Sequence, residues 1–164
     1  MPAPGQVTWR REVGPADPPA VARLVAATGF FSGEEVGIAR ELVEERLRLG
    51  PASGYEFLLA EDGQGLAGYA CFGRIPGTQA SYDLYWIAVR PGLKGQGLGR
   101  QALARAESLM AGQGGTRVYV DTSSRAQYEP TRAFYERCGY GLAASFPDFY
   151  APGEAKVVYC KVLA

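Results

Sequence analysis

Histidine is missing from this chain of 164 residues, and cysteine is rare, with three residues. Without histidine, the chain can form neither a Ser-His-Asp or Cys-His catalytic group nor a His-ligated zinc site. Cys71, Cys138 and Cys160 are odd in number and widely spaced, which is not typical of a disulfide framework and favours a reducing compartment. We expect each of them to be a small buried apolar residue.

Long apolar runs and an excess of one charge are also missing. No segment approaches the roughly 18 consecutive apolar residues of a membrane span, and the first residues lack the apolar core of a signal peptide. Lys plus Arg and Asp plus Glu each number 17, so no overall field attracts nucleic acid or an anionic membrane. We expect a cytoplasmic protein that has neither nucleic acid nor a membrane as a partner.

The order of predicted elements favours one domain over residues 1–164, without linkers or repeats. Caps and apolar spacing predict helices from Asp17, from Ser32 to a stop at Gly50, over 98–111 and over 130–138. Strands are predicted over 7–13, 55–60, 66–75, 83–89, 118–120, within 142–149 and over 156–163. A hairpin together with strand–helix–strand units predicts the α/β class with a mixed sheet.

The most informative segment, residues 89–100, lies between the predicted strand 83–89 and the helix 98–111. Four glycines in eight positions allow the backbone to turn its N–H groups toward one point. The start of the helix adds unpaired N–H donors and roughly half a positive charge. Lys94 and Arg100 can add full charges. The pattern predicts a site for a phosphate or pyrophosphate that needs no metal.

Two other kinds of phosphate site can be compared with this segment. A Walker loop is excluded, because no Lys-Ser or Lys-Thr follows the second glycine of any G-x-x-x-x-G. The spacing Gly97-x-Gly99-x-x-Ala102, with Asp121 about twenty residues later, leaves a dinucleotide site as an alternative. It is disfavoured because seven residues separate Val89 from Gly97, whereas a dinucleotide turn follows its strand almost at once.

At these residues the chain resembles a known family. The segment from Lys94 to Gly99 looks like motif A of the GNAT superfamily of N-acetyltransferases, (Gln/Arg)-x-x-Gly-x-(Gly/Ala), with Lys94 at its first position. Residues 130–140, which contain Phe-Tyr-x-x-x-Gly-Tyr, are similar to motif B. The resemblance implies an α/β (α+β) fold: a mixed, mostly antiparallel twisted sheet of about six to seven strands, flanked by about four helices.

The resemblance also implies an enzyme that uses acetyl-CoA and no metal. In the family the pyrophosphate lies on the glycine-rich loop, which here comprises Lys94, Gly95, Gln96, Gly97, Leu98, Gly99 and Arg100. Pantetheine lies along the preceding strand, here Ile87, Ala88 and Val89. Tyr135 matches the tyrosine that commonly contacts the cofactor and protonates the departing CoA thiolate. A non-catalytic acyl-CoA sensor of the same fold is the alternative.

Acetyl transfer to an amine requires the free base of that amine. A lysine-like amine has a pKa near 10.4, so its deprotonation at neutral pH costs roughly 4.6 kcal/mol, which favours a general base. Asp83 is the first candidate, since it starts the strand and lies six residues before Val89, where some family members carry a catalytic Glu. Asp121, Glu56 and a water chain are the other candidates.

The resemblance places the acceptor between two loops. The first contains Phe30, Phe31 and Glu34, and the second contains residues 146–150, Phe-Pro-Asp-Phe-Tyr. Aromatic walls with a few acids suit a small cationic or amphipathic amine, which would receive the acetyl group directly in a ternary complex. The sequence names neither the amine nor the preferred acyl chain. Dimers are common in the family, which leaves a homodimer open.

Overall fold

The computed structural model describes residues 6–163, which fall into two compact units. The first unit contains the residues up to Gly73 together with 86–106, and the second contains 74–85 together with the residues from Glu107 onward. The helices are α1 (Asp17–Ala27), α2 (Gly33–Leu49), α3 (Leu98–Gly112) and α4 (Glu129–Arg137). The strands are β1 (Thr8–Arg10), β2 (Glu56–Asp62), β3 (Gly65–Arg74), β4 (Ser81–Val89), β5 (Arg117–Ser123), β6 (Gly141–Ala151) and β7 (Glu154–Val162).

The strands follow the order β1-β2-β3-β4-β5-β7-β6. β4 and β5 pair in parallel, whereas β1 with β2, β2 with β3, β5 with β7 and β6 with β7 pair antiparallel. Over residues 6–163, seven strands and four α-helices therefore form a mixed, mostly antiparallel sheet with flanking helices. The predicted fold class is confirmed.

In the first unit, local signals set the helix ends. The capping box predicted at Ser32 is present, because the Ser32 hydroxyl accepts from Glu35 N and the Glu35 carboxylate accepts from Ser32 N, each at 3.1 Å. α2 ends at Leu49, before Gly50 with φ 63°. Asp17 differs from the prediction: it is the first residue of α1 rather than its cap, and its carboxylate accepts from Gly14 N at 2.7 Å.

In the second unit, the buried hydrophobic side chains lie on the first part of β4, the end of α3, β5, β7 and α4, and just after α4. They are Tyr82, Leu84, Met110, Val118, Val120, Tyr135, Tyr140, Val157 and Tyr159. Cys71, in the first unit, is buried as expected, whereas Cys138 and Cys160 are half-buried; none of the three forms a disulfide. Within residues 6–163, no helix has both the length and the apolar character needed to cross a membrane.

Candidate active site

The glycine-rich loop belongs to the first unit and turns through two left-handed residues. Gly95 and Gly97 have φ of 83° and 84°, a region that side chains with a Cβ rarely adopt. Gln96 N donates to Leu93 O at 3.3 Å, and Gln101 N donates to Gly97 O at 3.0 Å, which begins α3. These bonds fold the loop directly onto the start of the helix.

The first turn of α3 provides the donors that the motif predicts. The N–H groups of Leu98, Gly99 and Arg100 lie where an α-helix has no internal acceptors. The side chains of Lys94, which precedes this turn, and of Arg100, which belongs to it, are exposed. The structure thus combines backbone donors, the positive end of a helix dipole and two cations on one short segment, which is the chemistry of a phosphate site.

Close packing against β3 fixes this loop. Leu98 is 8% exposed and packs with Ala60 and Ala67. A Cβ on Gly68 would lie 3.1 Å from Ala88 O, tighter than most such contacts, so glycine favours this close approach of β3 to Ala88. Ala88 is buried. The predicted strand and loop residues are therefore held together within the first unit.

The end of β4 is less buried than its apolar residues indicate. Ala88 is buried, but Trp86, Ile87 and Val89 are only half-buried. A fully apolar run indicates a strand covered on both faces. Instead, this part of β4 keeps an accessible apolar surface, which suits a strand that receives a ligand along its length.

Arg90, at the end of β4, anchors the start of the loop, and no sequence pattern indicates this role. Its guanidinium makes two hydrogen bonds to the Asp62 carboxylate, at 2.7 and 3.0 Å, and a third to Leu66 O at 2.9 Å. Arg90 N also donates to Ala67 O at 2.8 Å. The cation lowers the pKa of Asp62. No local signal could find a pair whose members are 28 residues apart.

The segment joining α1 to α2 contacts both the loop and β4. Lys94 Nζ lies 5.0 Å from the centroid of the Phe30 ring. Phe31 packs edge-on against Trp86, with ring centroids 4.6 Å apart. The aromatic residues predicted near the acceptor therefore also contact the predicted phosphate loop within the first unit.

The first candidate base, Asp83, lies in the second unit beside a second carboxylate. Asp83 pairs with Tyr119 across β4 and β5, and Asp121 follows two residues later, so all three side chains share one face. Burial, followed by the charge of Asp121, raises the pKa of Asp83, whereas Lys156 opposes this. Lys156 Nζ lies 3.3 Å from Asp121 Oδ2. Asp83 is thus a half-buried carboxylate with raised proton affinity, as a general base requires.

Two neighbouring features complete that face of the second unit. Lys156 Nζ also lies 4.8 Å from the centroid of Phe149, which packs edge-on against Tyr150 at 5.0 Å. The residues between Phe146 and Ala151 bulge out of the β6–β7 pairing, and Asp148 adopts φ 58° there. Its carboxylate accepts from Gly153 N at 2.7 Å and so holds the bulge.

Glu56, the weaker candidate base, is occupied elsewhere. In the first unit its carboxylate forms an ion pair with Arg11, at 2.8 Å.

The predicted acid, Tyr135, is 4% exposed. Its ring packs against Tyr140 and Tyr159, at centroid distances of 5.7 and 6.5 Å. Burial raises the pKa of Tyr135, which keeps the phenol protonated near neutral pH. A phenol in this state holds a proton that it can donate.

Tyr135 and the carboxylates lie on opposite faces of β5. Val120 pairs with Tyr159, on which Tyr135 packs, and the next residue, Asp121, points the other way. Within the second unit, the pairing of β4 with β5 ends at Asp83 and Tyr119, although β5 continues to Ser123. The structure therefore brings Asp83 and Asp121 together and separates both from Tyr135.

Comparison with known proteins gives consistent matches. The family model for the acetyltransferase (GNAT) family matches residues 28–140. A blasticidin-S acetyltransferase of Streptomyces morookaense is 38% identical over 81 residues, 49% of this chain and 55% of that protein. The chain thus spans about half the length of this curated relative.

Solved structures extend the likeness over the chain. A Desulfovibrio desulfuricans protein assigned to the GNAT family has 44% identity and a TM-score of 0.95, covering 97% of this chain and all of the other. An aminoglycoside 6'-N-acetyltransferase complexed with coenzyme A shares the fold at 17% identity, with a TM-score of 0.74 and 97% of each chain covered. The shared fold and the family model define the class of acetyltransferases. The chain belongs to the GNAT acetyltransferase family.

Proposed function

We propose that residues 1–164 act as one N-acetyltransferase domain, which transfers an acetyl group from acetyl-CoA directly to a primary amine on a small molecule. The glycine-rich loop carries this proposal, because it combines helix N–H donors with two cations beside an accessible apolar strand. Cytoplasmic location is part of the proposal and agrees with three cysteines that form no disulfide.

The cofactor residues divide between two tasks. The segment from Lys94 to Arg100 would bind the pyrophosphate through backbone N–H groups and side-chain charge. Ile87, Ala88 and Val89 would lie along the pantetheine arm, whose amides can pair with a strand edge. No residue in either set requires a metal ion for this role.

Two groups would move protons. Asp83 would accept a proton from the acceptor ammonium, which frees the lone pair that attacks the acetyl carbonyl carbon. As the C–S bond breaks, Tyr135 would donate its phenolic proton to the sulfur, and the second proton that the nitrogen loses as the amide forms would return through solvent to the phenolate. Their location on opposite faces of β5 supports this division, because the amine then approaches from one face and the thiolate leaves toward the other.

Two observations support a small molecule as the acceptor: the name of one relative and an exposed aromatic surface of the second unit. The curated relative is named for acetylating blasticidin S. In the second unit, Phe149 and Tyr150 expose 56% and 49% of their surface beside the Asp121 carboxylate and Lys156. Apolar rings with a nearby carboxylate suit an amphipathic amine.

A homodimer belongs to the same proposal. β6 lies at one end of the strand order, and its Leu142 and Phe146 side chains are 64% and 48% exposed. An exposed apolar edge strand readily pairs with another chain. Sedimentation of the wild type and of a Leu142→Lys variant tests this, and a monomeric wild type would remove the dimer from the proposal.

The central test compares two glycine variants. Gly97→Asp adds a strained Cβ and a negative charge at the loop, and it should weaken CoA binding by about 100-fold or more in calorimetry. Gly77→Asp is the matched control, since Gly77 has φ 82°, is exposed, and belongs to the second unit. Equal affinity in a folded Gly97→Asp variant would contradict the assigned loop.

An amine panel assayed with acetyl-CoA and thiol detection separates the alternatives. Release of CoA thiol that depends on the amine supports the enzyme. Tight CoA binding without turnover would support a non-catalytic sensor. An enhancement of NADH fluorescence without CoA binding would support a dinucleotide site.

A further inference from the structure

A buried network in the second unit surrounds the C-terminus of α4. The Glu107 carboxylate, on α3, accepts from Tyr140 Oη and from Lys161 Nζ, each at 2.8 Å. Glu107 is 9% exposed. Both of its oxygens are therefore bonded, one to a phenol and one to a cation. A buried carboxylate satisfied in this way holds its partners in one geometry.

The same network closes the end of α4. Lys161 Nζ donates to Cys138 O at 2.8 Å, so one ammonium joins Glu107 to the last turn of the helix. A cation at this end also interacts favourably with the helix dipole.

Tyr140 connects this network to Tyr135 in two ways. Tyr140 N donates to Tyr135 O at 3.0 Å, and Gly139 N donates to Glu136 O at 3.1 Å, with Gly139 at φ 94°. This pattern is a Schellman motif, which fixes the backbone at Tyr135. The two rings also pack at 5.7 Å. Both the backbone and the ring of Tyr135 are thus held by Tyr140.

We propose that Glu107, through Tyr140 and Lys161, is a positioning residue that orients the Tyr135 phenol for proton donation. This rests on the proposed function, in which Tyr135 is the acid. Within the second unit, the network lies on the face of β5 opposite to Asp83 and Asp121, where it contacts Tyr135. Its loss should therefore slow the chemical step and leave binding of the cofactor unchanged.

Tyr140→Phe tests the idea with little disturbance. It removes the bond to Glu107 but keeps the ring and the backbone bond to Tyr135. We expect kcat to fall about tenfold, because a small misplacement of a reacting group is costly. The KM for acetyl-CoA and the Kd for CoA should not change. Glu107→Gln, which removes the charge that pairs with Lys161 and replaces the oxygen that accepts from Tyr140 Oη with an amide N–H, is the second variant and should show the same split.

A double-mutant cycle separates positioning from general stability. In a Tyr135→Phe background, the added Tyr140→Phe change should leave kcat unaltered, because the group that it positions is gone. Tyr82→Phe is the matched control, since it removes a phenol bond of 2.8 Å to Gln113 in the same unit. That variant should retain kcat in both backgrounds.

The remaining outcomes overturn the proposal in distinguishable ways. The positioning role is removed, and the proposed function left intact, if kcat is unchanged in both Tyr140→Phe and Glu107→Gln. The same conclusion follows if Tyr140→Phe lowers kcat equally in the wild type and in the Tyr135→Phe background. A Tyr135→Phe variant with full kcat removes the acid itself and the inference with it. A wild type that binds no CoA removes the proposed function.

Discussion

The ammonium group of Lys94 lies 5.0 Å from the centroid of the Phe30 ring. The segment between α1 and α2 thus fixes a cation of the predicted phosphate loop. Holding the side chain before the ligand arrives reduces the entropy that binding must oppose. Acceptor-side aromatic residues and cofactor affinity are therefore expected to be linked.

Phe30→Leu should weaken CoA binding by about two- to fivefold, the effect of losing an exposed cation–π contact. Lys94→Met should weaken it more and reduce its dependence on salt, because a charge on the phosphate is lost. Calorimetry at two ionic strengths measures both. Arg105→Met is the control: Arg105 lies 4.7 Å from the Trp9 ring, outside the loop. A Phe30→Leu variant that binds CoA like the wild type would disprove the link.

Asp121→Asn should move the acid limb of the pH profile to lower pH. The charge of Asp121 helps to raise the pKa of Asp83, so its removal lowers that pKa, and the released Lys156 ammonium lowers it further. If the Asp83 carboxylate is the base, kcat/KM rises as pH increases through its pKa, and the variant reaches its plateau earlier.

Glu129→Gln provides the control for that profile, because Glu129 is an exposed acid of the same unit, in the first turn of α4. Its pH profile should match that of the wild type. An unmoved acid limb in Asp121→Asn would exclude Asp83 as the group that titrates. A complete loss of turnover would instead indicate that Asp121 is itself the base.

Features encoded by neighbouring residues can be predicted from the sequence, and those made by distant pairs cannot. The Ser32 capping box and the loop from Lys94 to Arg100 depend on spacing within a few residues, and the sequence indicates both. The cap predicted at Asp17 is wrong. An Asp before proline is typical of a helix cap, but this carboxylate accepts hydrogen bonds from Gly14 N and from the Arg10 guanidinium instead. Local patterns do not report such tertiary partners.

In the candidate site too, features set by neighbouring residues can be predicted from the sequence, and contacts between distant residues cannot. Motif B identifies Tyr135, but the Glu107 bonds to Tyr140 and Lys161 join residues 33 and 54 positions apart. Their meeting depends on strand register and on the packing of α3, neither of which a single sequence determines. The pairing of Asp83 with Asp121 on one face likewise requires the register of β4 and β5.

Gly115→Ala should destabilise the protein by about 1–3 kcal/mol. The new Cβ would lie 2.7 Å from the Tyr82 ring and 2.9 Å from Met110 O, so the chain must shift. Chemical denaturation measures the change. Gly112→Ala is the matched control in α3, where a Cβ meets nothing within 4 Å and alanine favours the helix. Similar unfolding free energies for the two variants would contradict the packing at Gly115.

Asp62→Asn should lower stability at neutral pH but not in strong acid. Arg90 lowers the pKa of Asp62, so the carboxylate stabilises the fold above its unfolded pKa, and this contribution is lost as pH falls through the folded pKa. The side chains are 22% and 18% exposed, which suggests about 1–2 kcal/mol near pH 7. Urea unfolding at several pH values measures the free energy of unfolding of the wild type and of Asp62→Asn, and the difference between them should disappear below about pH 4. Glu45→Gln, which breaks an exposed ion pair, is the control. A difference that persists at the lowest pH would mean that the substituted amide disturbs packing rather than charge.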